Sequence, residues 1–158
     1  MGVVASIPIE ERFTTLKSEF TANMQVSMAS HAAERLFFED DVSTGPSHDL
    51  RNATQIAEMM IGRFGMGKDR VRVSGADPWN GALKVDPRAV DKVLQKAYAK
   101  TEELVYKYRD QIEVLALLLN AEGTVDGADV HTLLDRMTQS PPNFQELFAN
   151  RYVRKDDE

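Results

Sequence analysis

Two acidic residues of this chain have the chemistry and the surroundings to take part in a metal site. Glu34 lies in an apolar stretch, residues 32–38 (A-A-E-R-L-F-F), and Asp49 follows a Gly- and Pro-containing loop within residues 42–50 (V-S-T-G-P-S-H-D-L). Zinc accepts carboxylate oxygens and imidazole nitrogens, and a catalytic zinc keeps three protein ligands and one water molecule. One carboxylate therefore does not make a catalytic zinc site without further ligands.

The histidines of the chain do not supply those ligands at a recognisable spacing. His48 is adjacent to Asp49, and neighbouring residues on a helix point about 100° apart, so the two side chains do not face one site. His31 and His131 have no partner at ligand spacing, and we assign them structural roles. Asp49 itself has an ordinary explanation, because the helix dipole favours an acid in the first turn by about 0.3 to 1 kcal/mol.

Composition narrows the class of protein. The chain has 158 residues, of which 42% are hydrophobic, which is enough for one compact core. A formal net charge of -6 argues against nucleic acid as a partner. The absence of cysteine excludes disulfides, thiolate zinc sites and thiol nucleophiles. The longest apolar run, residues 114–119, is far shorter than the 20 or so residues that cross a bilayer, so we expect no membrane segment in this chain.

The elements that position the two acids are predicted to be helices. Apolar residues recur at helical spacing from Leu16, which predicts a helix ending near Phe38. Residues 39–46 are predicted to form a loop, and Ser47 is expected to cap the next helix with its hydroxyl group. The two acids are therefore predicted at the two helix ends that flank this loop.

The second half of the chain is predicted to be helical as well. The Asp-Pro pair at residues 86–87 is a strong helix start. The apolar spacing that begins there predicts a long helix with Leu104 on its buried face and a C-terminal cap at Gly123. The sequence leaves open whether this helix kinks at residues 107–110. Asp126 begins a short last helix.

The two ends of the chain are predicted to differ from this helical core. Residues 2–9 mix apolar residues with Ser and Pro, which is typical of a short strand entering a loop. Residues 138–158 end in a run of charges, which is typical of a poorly ordered tail. We therefore predict a mainly α fold with a short N-terminal strand, in which residues 1–137 form the domain and residues 138–158 the tail.

Further motifs accompany the two acidic blocks in a fixed order. They are residues 2–8 (G-V-V-A-S-I-P), 10–13 (E-E-R-F), 63–66 (R-F-G-M), 109–116 (R-D-Q-I-E-V-L-A) and 124–127 (T-V-D-G). Together with the blocks around Glu34 and Asp49 they resemble the proteolytic domain of the membrane-anchored AAA+ zinc metalloproteases, the FtsH family. In that family the acidic blocks read roughly A-A-E-E-L-I-F-G and V-[ST]-T-G-A-S-N-D-L. The resemblance implies a helical, FtsH-like peptidase-domain core.

The resemblance also implies site residues. It assigns to Asp49 the role of a zinc ligand, beside two histidines of an H-E-x-x-H helix, and it places Glu34 close to the metal without ligating it. The glutamate of H-E-x-x-H would take the proton of the zinc-bound water. No H-E-x-x-H occurs in this sequence, and in the family that motif precedes the strand that matches residues 2–8. We therefore expect the chain to be the C-terminal part of the peptidase domain, without catalytic residues of its own.

For the complete protein, the resemblance implies an ATP-dependent zinc metalloendopeptidase that degrades proteins. An upstream AAA+ module would bind ATP, and the full-length protein would assemble as a hexamer. This chain would lie on the cytoplasmic face of a membrane-anchored protein, or in the cytoplasm if it stands alone. The alternative is a non-catalytic helical assembly or adaptor module derived from the same fold.

Overall fold

The computed structural model describes residues 14–39, 41–67 and 85–139 of the chain. Every regular element in these ranges is a helix, so the prediction of a mainly α fold is confirmed. The strand predicted at residues 2–9 lies outside the described residues, and so does nearly all of the tail predicted at residues 138–158. None of the described helices has the length and apolar character needed to cross a membrane.

The described residues form five helices. They are α1 (Lys17–Phe38), α2 (Ser47–Gly62), α3 (Pro87–Lys107), α4 (Arg109–Glu122) and α5 (Gly127–Gln139). The chain divides into two compact units, Met1–Lys107 and Tyr108–Glu158.

The first unit is built around α1, which packs against both α2 and α3, while α2 and α3 also touch each other. Its core is made mainly of methionine and alanine side chains, and methionine can fill irregular gaps between helices. The buried members are Met24, Met28, Ala53, Ile56, Ala57, Met60, Val90 and Ala97.

Ser27 and Thr101 are the buried polar residues among the described residues of the first unit. Thr101 on α3 is 2% exposed, and its hydroxyl group donates a hydrogen bond to the carbonyl oxygen of Ala97 at 3.0 Å. This bond within the helix satisfies the buried donor, as burial of a hydroxyl requires. In contrast, Leu104, which the apolar stripe placed inward, is 46% exposed.

The predicted helix starts of the second half of the chain are confirmed. The Asp86 carboxylate accepts a hydrogen bond from the Arg88 N–H at 3.0 Å, and the Asp126 carboxylate accepts one from the Ala128 N–H at 2.9 Å. Each bond satisfies a backbone donor that the first helical turn leaves without a partner.

The second unit contains α4 and α5, which contact each other. The sequence left open whether one long helix kinks at residues 107–110. In the structure there are two helices, because α3 ends at Lys107 and α4 begins at Arg109. Tyr108 between them has φ -105° and ψ 18°, outside the helical region. Gly123 ends α4 with φ 74°, which confirms its predicted role as the C-terminal cap.

Candidate metal-ligand helix and its approach loop

Asp49 lies in the first turn of α2, and its side chain is exposed. The turn is held by its own backbone, since the Leu50 N–H donates to the Pro46 carbonyl oxygen at 2.9 Å and the Ser47 N–H to the Thr44 carbonyl oxygen at 3.2 Å. Among the residues that the structure describes, none donates a hydrogen bond to the Asp49 carboxylate or pairs with its charge. The carboxylate is therefore free to bind a cation.

The predicted cap of α2 is wrong. Ser47 is the first helical residue, and Pro46 occupies the capping position with no side-chain hydrogen bond. The reason lies in the backbone of Pro46, whose φ of -71° and ψ of -1° already approach helical values. Pro46 is also buried, so packing of its ring anchors the helix start where a serine hydroxyl was expected to do so.

Glu34, at the other side of the loop, places both carboxylate oxygens on Ser43. Its Oε2 accepts a hydrogen bond from the Ser43 N–H at 2.8 Å, and its Oε1 accepts one from the Ser43 hydroxyl group at 2.7 Å. The Ser43 Oγ in turn accepts a hydrogen bond from the Gly45 N–H at 3.0 Å. These three bonds tie the last turns of α1 to the loop that leads into α2.

The hydrogen bonds from Ser43 change the acidity of Glu34. The hydroxyl group and then the backbone N–H of Ser43 stabilise the carboxylate and lower the pKa of Glu34 below its ordinary value of 4.5. Partial desolvation opposes this effect, and His31 nearby adds a smaller lowering of the pKa. The loop is therefore built to hold Glu34 as an anion.

The same part of α1 is joined to α3 by polar contacts. His31 Nδ1 and Tyr98 Oη lie 2.8 Å apart in a half-buried hydrogen bond, and Arg35 pairs with Glu102 at 3.4 Å near the surface. His31 thus has the structural role that its lack of a ligand partner predicted. His48 and His131 are exposed.

A zinc ion can use Asp49 as one oxygen ligand, because the side chain is exposed and free of competing hydrogen bonds. Within residues 14–39, 41–67 and 85–139, no three His, Asp or Glu side chains are grouped so as to hold a metal ion. The part of the chain that the structure describes therefore does not form a three-ligand zinc site by itself.

Reasoning from the sequence missed the residues that organise the loop. Ser43 lies within the block that carries the family resemblance, but its type and position did not indicate a partner. Tyr98 was not singled out, because a tyrosine on an apolar helix face is typical of core packing. A second half-buried contact was also missed, in which the Asn52 side chain donates a hydrogen bond to the Ser27 Oγ at 2.9 Å.

The chain is similar to known proteases over most of its length. It is 30% identical over 150 residues to "ATP-dependent zinc metalloprotease FtsH 4" of Sphaerobacter thermophilus, covering 85% of this chain and 23% of that protein. It is 29% identical over 150 residues to "ATP-dependent zinc metalloprotease FTSH 9, chloroplastic/mitochondrial" of Oryza sativa, covering 92% of this chain and 19% of that protein. The chain thus spans about a quarter or less of the length of these curated relatives.

The profile of the family described as "Peptidase family M41" matches residues 1–133, which include Glu34, Ser43 and Asp49. The match extends through the helices of the first unit and α4, and into α5. The chain therefore belongs to peptidase family M41.

Proposed function

We propose that this chain is the C-terminal part of the proteolytic domain of an ATP-dependent zinc metalloendopeptidase, and that Asp49 is the zinc ligand it contributes. In this proposal residues 1–137 belong to the peptidase domain and residues 138–158 form a tail. The observation that carries the proposal is the open carboxylate of Asp49, in the first turn of a helix whose approach loop is held by Glu34 and Ser43.

Three properties of Asp49 support this role. Its side chain is exposed, so a metal-bearing segment can reach it without displacing core residues. It has no competing hydrogen bond or ion pair among the described residues, so binding a cation costs no existing contact. It also lies at the start of a helix, where the backbone dipoles favour a negative charge in a fixed place.

The chemistry proposed for the complete site is hydrolysis of a peptide bond. A zinc ion held by Asp49 and two histidines would lower the pKa of a bound water to about 7 and so provide the nucleophile. The proposed role of this chain is to supply one zinc ligand and to hold it in place. A base for the water is not among its assigned residues, so we expect no proteolysis by the isolated chain.

The complete protein is proposed to act on protein substrates, with energy supplied by an AAA+ module that binds ATP. We also propose a hexameric assembly, located on the cytoplasmic face of a membrane. Proteolysis, zinc and ATP dependence are supported by membership of family M41 and by relatives whose names specify them. The hexamer and the membrane location rest on the resemblance of the sequence motifs alone.

The proposal is tested by supplying the expected partner ligands. The 158-residue chain is joined at its N-terminus to the H-E-x-x-H segment of a family M41 peptidase, and bound zinc is measured per mole of folded protein. We expect about one zinc ion per chain. Asp49→Asn removes a ligand, so its loss of zinc affinity should exceed the roughly 10- to 100-fold loss that follows removal of a group that only orients a ligand.

Asp129→Asn is the matched control, because Asp129 lies in the first turn of α5 and is also exposed. Both substitutions remove a first-turn charge and so lose a similar helix-dipole contribution. If the two variants hold zinc equally well, Asp49 is not a ligand. The alternative of a non-catalytic helical module would then account better for the chain.

A further inference from the structure

The contacts of Glu34 with Ser43 extend in one direction along the loop. The carboxylate fixes the backbone and the hydroxyl group of Ser43, and the Ser43 Oγ fixes the Gly45 N–H. From Gly45, buried Pro46 leads directly into the first turn of α2. A short path of bonded or buried groups therefore runs from Glu34 to the turn that carries Asp49.

The loop is packed closely around this path. A Cβ atom on Gly45 would lie 3.1 Å from the Ser43 Oγ and 3.6 Å from the Glu34 Oε1. The first distance is tighter than an ordinary van der Waals contact, so a side chain here would push against the bonded serine. Glycine at this position lets the loop backbone close against the carboxylate.

The helix that carries Glu34 is itself anchored. In the same turns of α1, His31 bonds to Tyr98 on α3, and α1 packs against both α2 and α3. Glu34 therefore bonds to the loop from a helix that is held in place. A change in the Glu34 side chain would move the loop more than it would move α1.

We propose that Glu34 is a positioning residue, whose two-oxygen contact with Ser43 sets the loop at residues 43–46 and thereby the direction in which α2 presents Asp49. The significance of that direction rests on the proposed function, in which Asp49 binds zinc. The contact needs a carboxylate at the length of a glutamate side chain. Aspartate is one methylene shorter and does not reach both groups, whereas glutamine keeps the length and one acceptor oxygen.

The first test uses the 158-residue chain and needs no metal. Amide hydrogen exchange is measured by NMR at Gly45, at Leu50 in the first turn of α2, and at Ala57, which is fully buried in the same helix. In Glu34→Ala we expect exchange at Gly45 and Leu50 to rise about tenfold or more while exchange at Ala57 stays near that of the wild type, as for a local opening. Glu34→Gln should recover part of the protection, and Glu34→Asp less.

Glu103→Ala is the control, because Glu103 is an exposed glutamate on α3. It should leave all three amides unchanged. A parallel rise at Gly45, Leu50 and Ala57 in Glu34→Ala would mean that Glu34 supports only global stability, and the positioning role would be wrong. Unchanged exchange at Gly45 would also overturn it, since the bond to Ser43 would then fix nothing.

The second test uses the chain joined to the H-E-x-x-H segment, with cobalt in place of zinc as a spectroscopic probe. We expect cobalt affinity to fall about 10- to 100-fold in Glu34→Ala and to recover in part in Glu34→Gln, although neither variant removes a ligand. If Asp49→Asn lowers cobalt affinity but Glu34→Ala does not, the positioning role fails and the proposed function stands. If Asp49→Asn has no effect, the proposed function fails, and the exchange experiment still decides whether Glu34 holds the loop.

Discussion

His31 on α1 and Tyr98 on α3 are joined by a hydrogen bond of 2.8 Å in a half-buried position. Their rings also pack together, with centroids 5.6 Å apart and planes inclined by 55°. The neighbouring pair Arg35 and Glu102 is separated by 3.4 Å and both side chains are more than 40% exposed, so it contributes little. The polar stabilisation of the α1–α3 contact therefore lies mainly with His31 and Tyr98.

Tyr98→Phe tests this contact, because it removes the hydroxyl group and keeps the ring. We expect the free energy of unfolding to fall by about 0.5 to 1.5 kcal/mol, the usual net contribution of a hydrogen bond. Urea unfolding followed by circular dichroism measures the change. Tyr106→Phe is the control, since Tyr106 is 64% exposed on the same helix and should change stability by less than about 0.5 kcal/mol. Equal effects of the two variants would contradict this account.

Met24 and Val26 lie two positions apart on α1 and differ widely in burial, at 0% and 76% exposed. Met24→Ala leaves a cavity in the core and should lower the free energy of unfolding by about 2 to 5 kcal/mol. Val26→Ala removes apolar atoms that already face solvent and should change it by less than about 0.5 kcal/mol. Both values come from denaturant unfolding. A small loss for Met24→Ala would mean that α1 does not pack through this residue.

The acidity of Glu34 can be followed directly by NMR of its side-chain carboxyl carbon during a pH titration. The midpoint should lie below 4.5 in the wild type, because Ser43 donates hydrogen bonds to the carboxylate. Ser43→Ala removes the hydroxyl donor, which is the larger cause, and should move the midpoint upward. An unchanged midpoint in that variant would show that the hydroxyl group does not bond to Glu34 in solution.

The same bonds make stability depend on pH in a defined direction. The pKa of Glu34 is lower in the folded chain than its ordinary value of 4.5, so the contact stabilises the fold above that value and the stabilisation is lost as the pH falls through the folded pKa. The difference in unfolding free energy between wild type and Glu34→Gln should therefore be largest near neutral pH and shrink in acid. A difference that stays constant from neutral pH into acid would contradict this linkage.

Substitution of glycine by alanine is expected to have opposite effects on stability at Gly123 and Gly127. Neither position has a heavy atom within 4 Å of an added Cβ, but Gly123 has φ 74°. Gly123→Ala should therefore cost about 1 kcal/mol through backbone strain alone. Gly127→Ala, in the first turn of α5, should stabilise by about 0.4 to 1 kcal/mol because alanine restricts the unfolded chain. Thermal unfolding of the two variants should shift in opposite directions, and a shift in the same direction would rule out the strain at Gly123.

Helix positions were predictable because they depend on local patterns. The spacing of apolar residues located α1, and the aspartates at positions 86 and 126 marked the starts of α3 and α5. Leu104 was predicted to lie on the buried face of α3, and this prediction was wrong. The buried face is narrow and consists of Val90, Ala97, Thr101 and Val105. Which face of a helix is covered depends on the neighbouring helices, and periodicity does not contain that information.

The candidate site was predictable only in part. Position in the sequence placed Asp49 in a first helical turn, but its assignment to zinc came from the family resemblance and stays a prediction. The hydrogen bonds of Glu34 to Ser43 and of His31 to Tyr98 join residues that are separate in the sequence and have no periodic signature. Such pairs become visible only when the helices are in place.

The packing of α1 against two other helices has a consequence for the order of folding. Residues 39–46 connect α1 to α2, whereas the connection from α2 to α3 runs over residues 63–86. The shorter connection has the lower loop-closure entropy, so we expect α1 and α2 to pair early as a helical hairpin. Among the described helices, α3 packs against α1 and α2, so we expect its docking on that hairpin to be the step that sets the refolding rate.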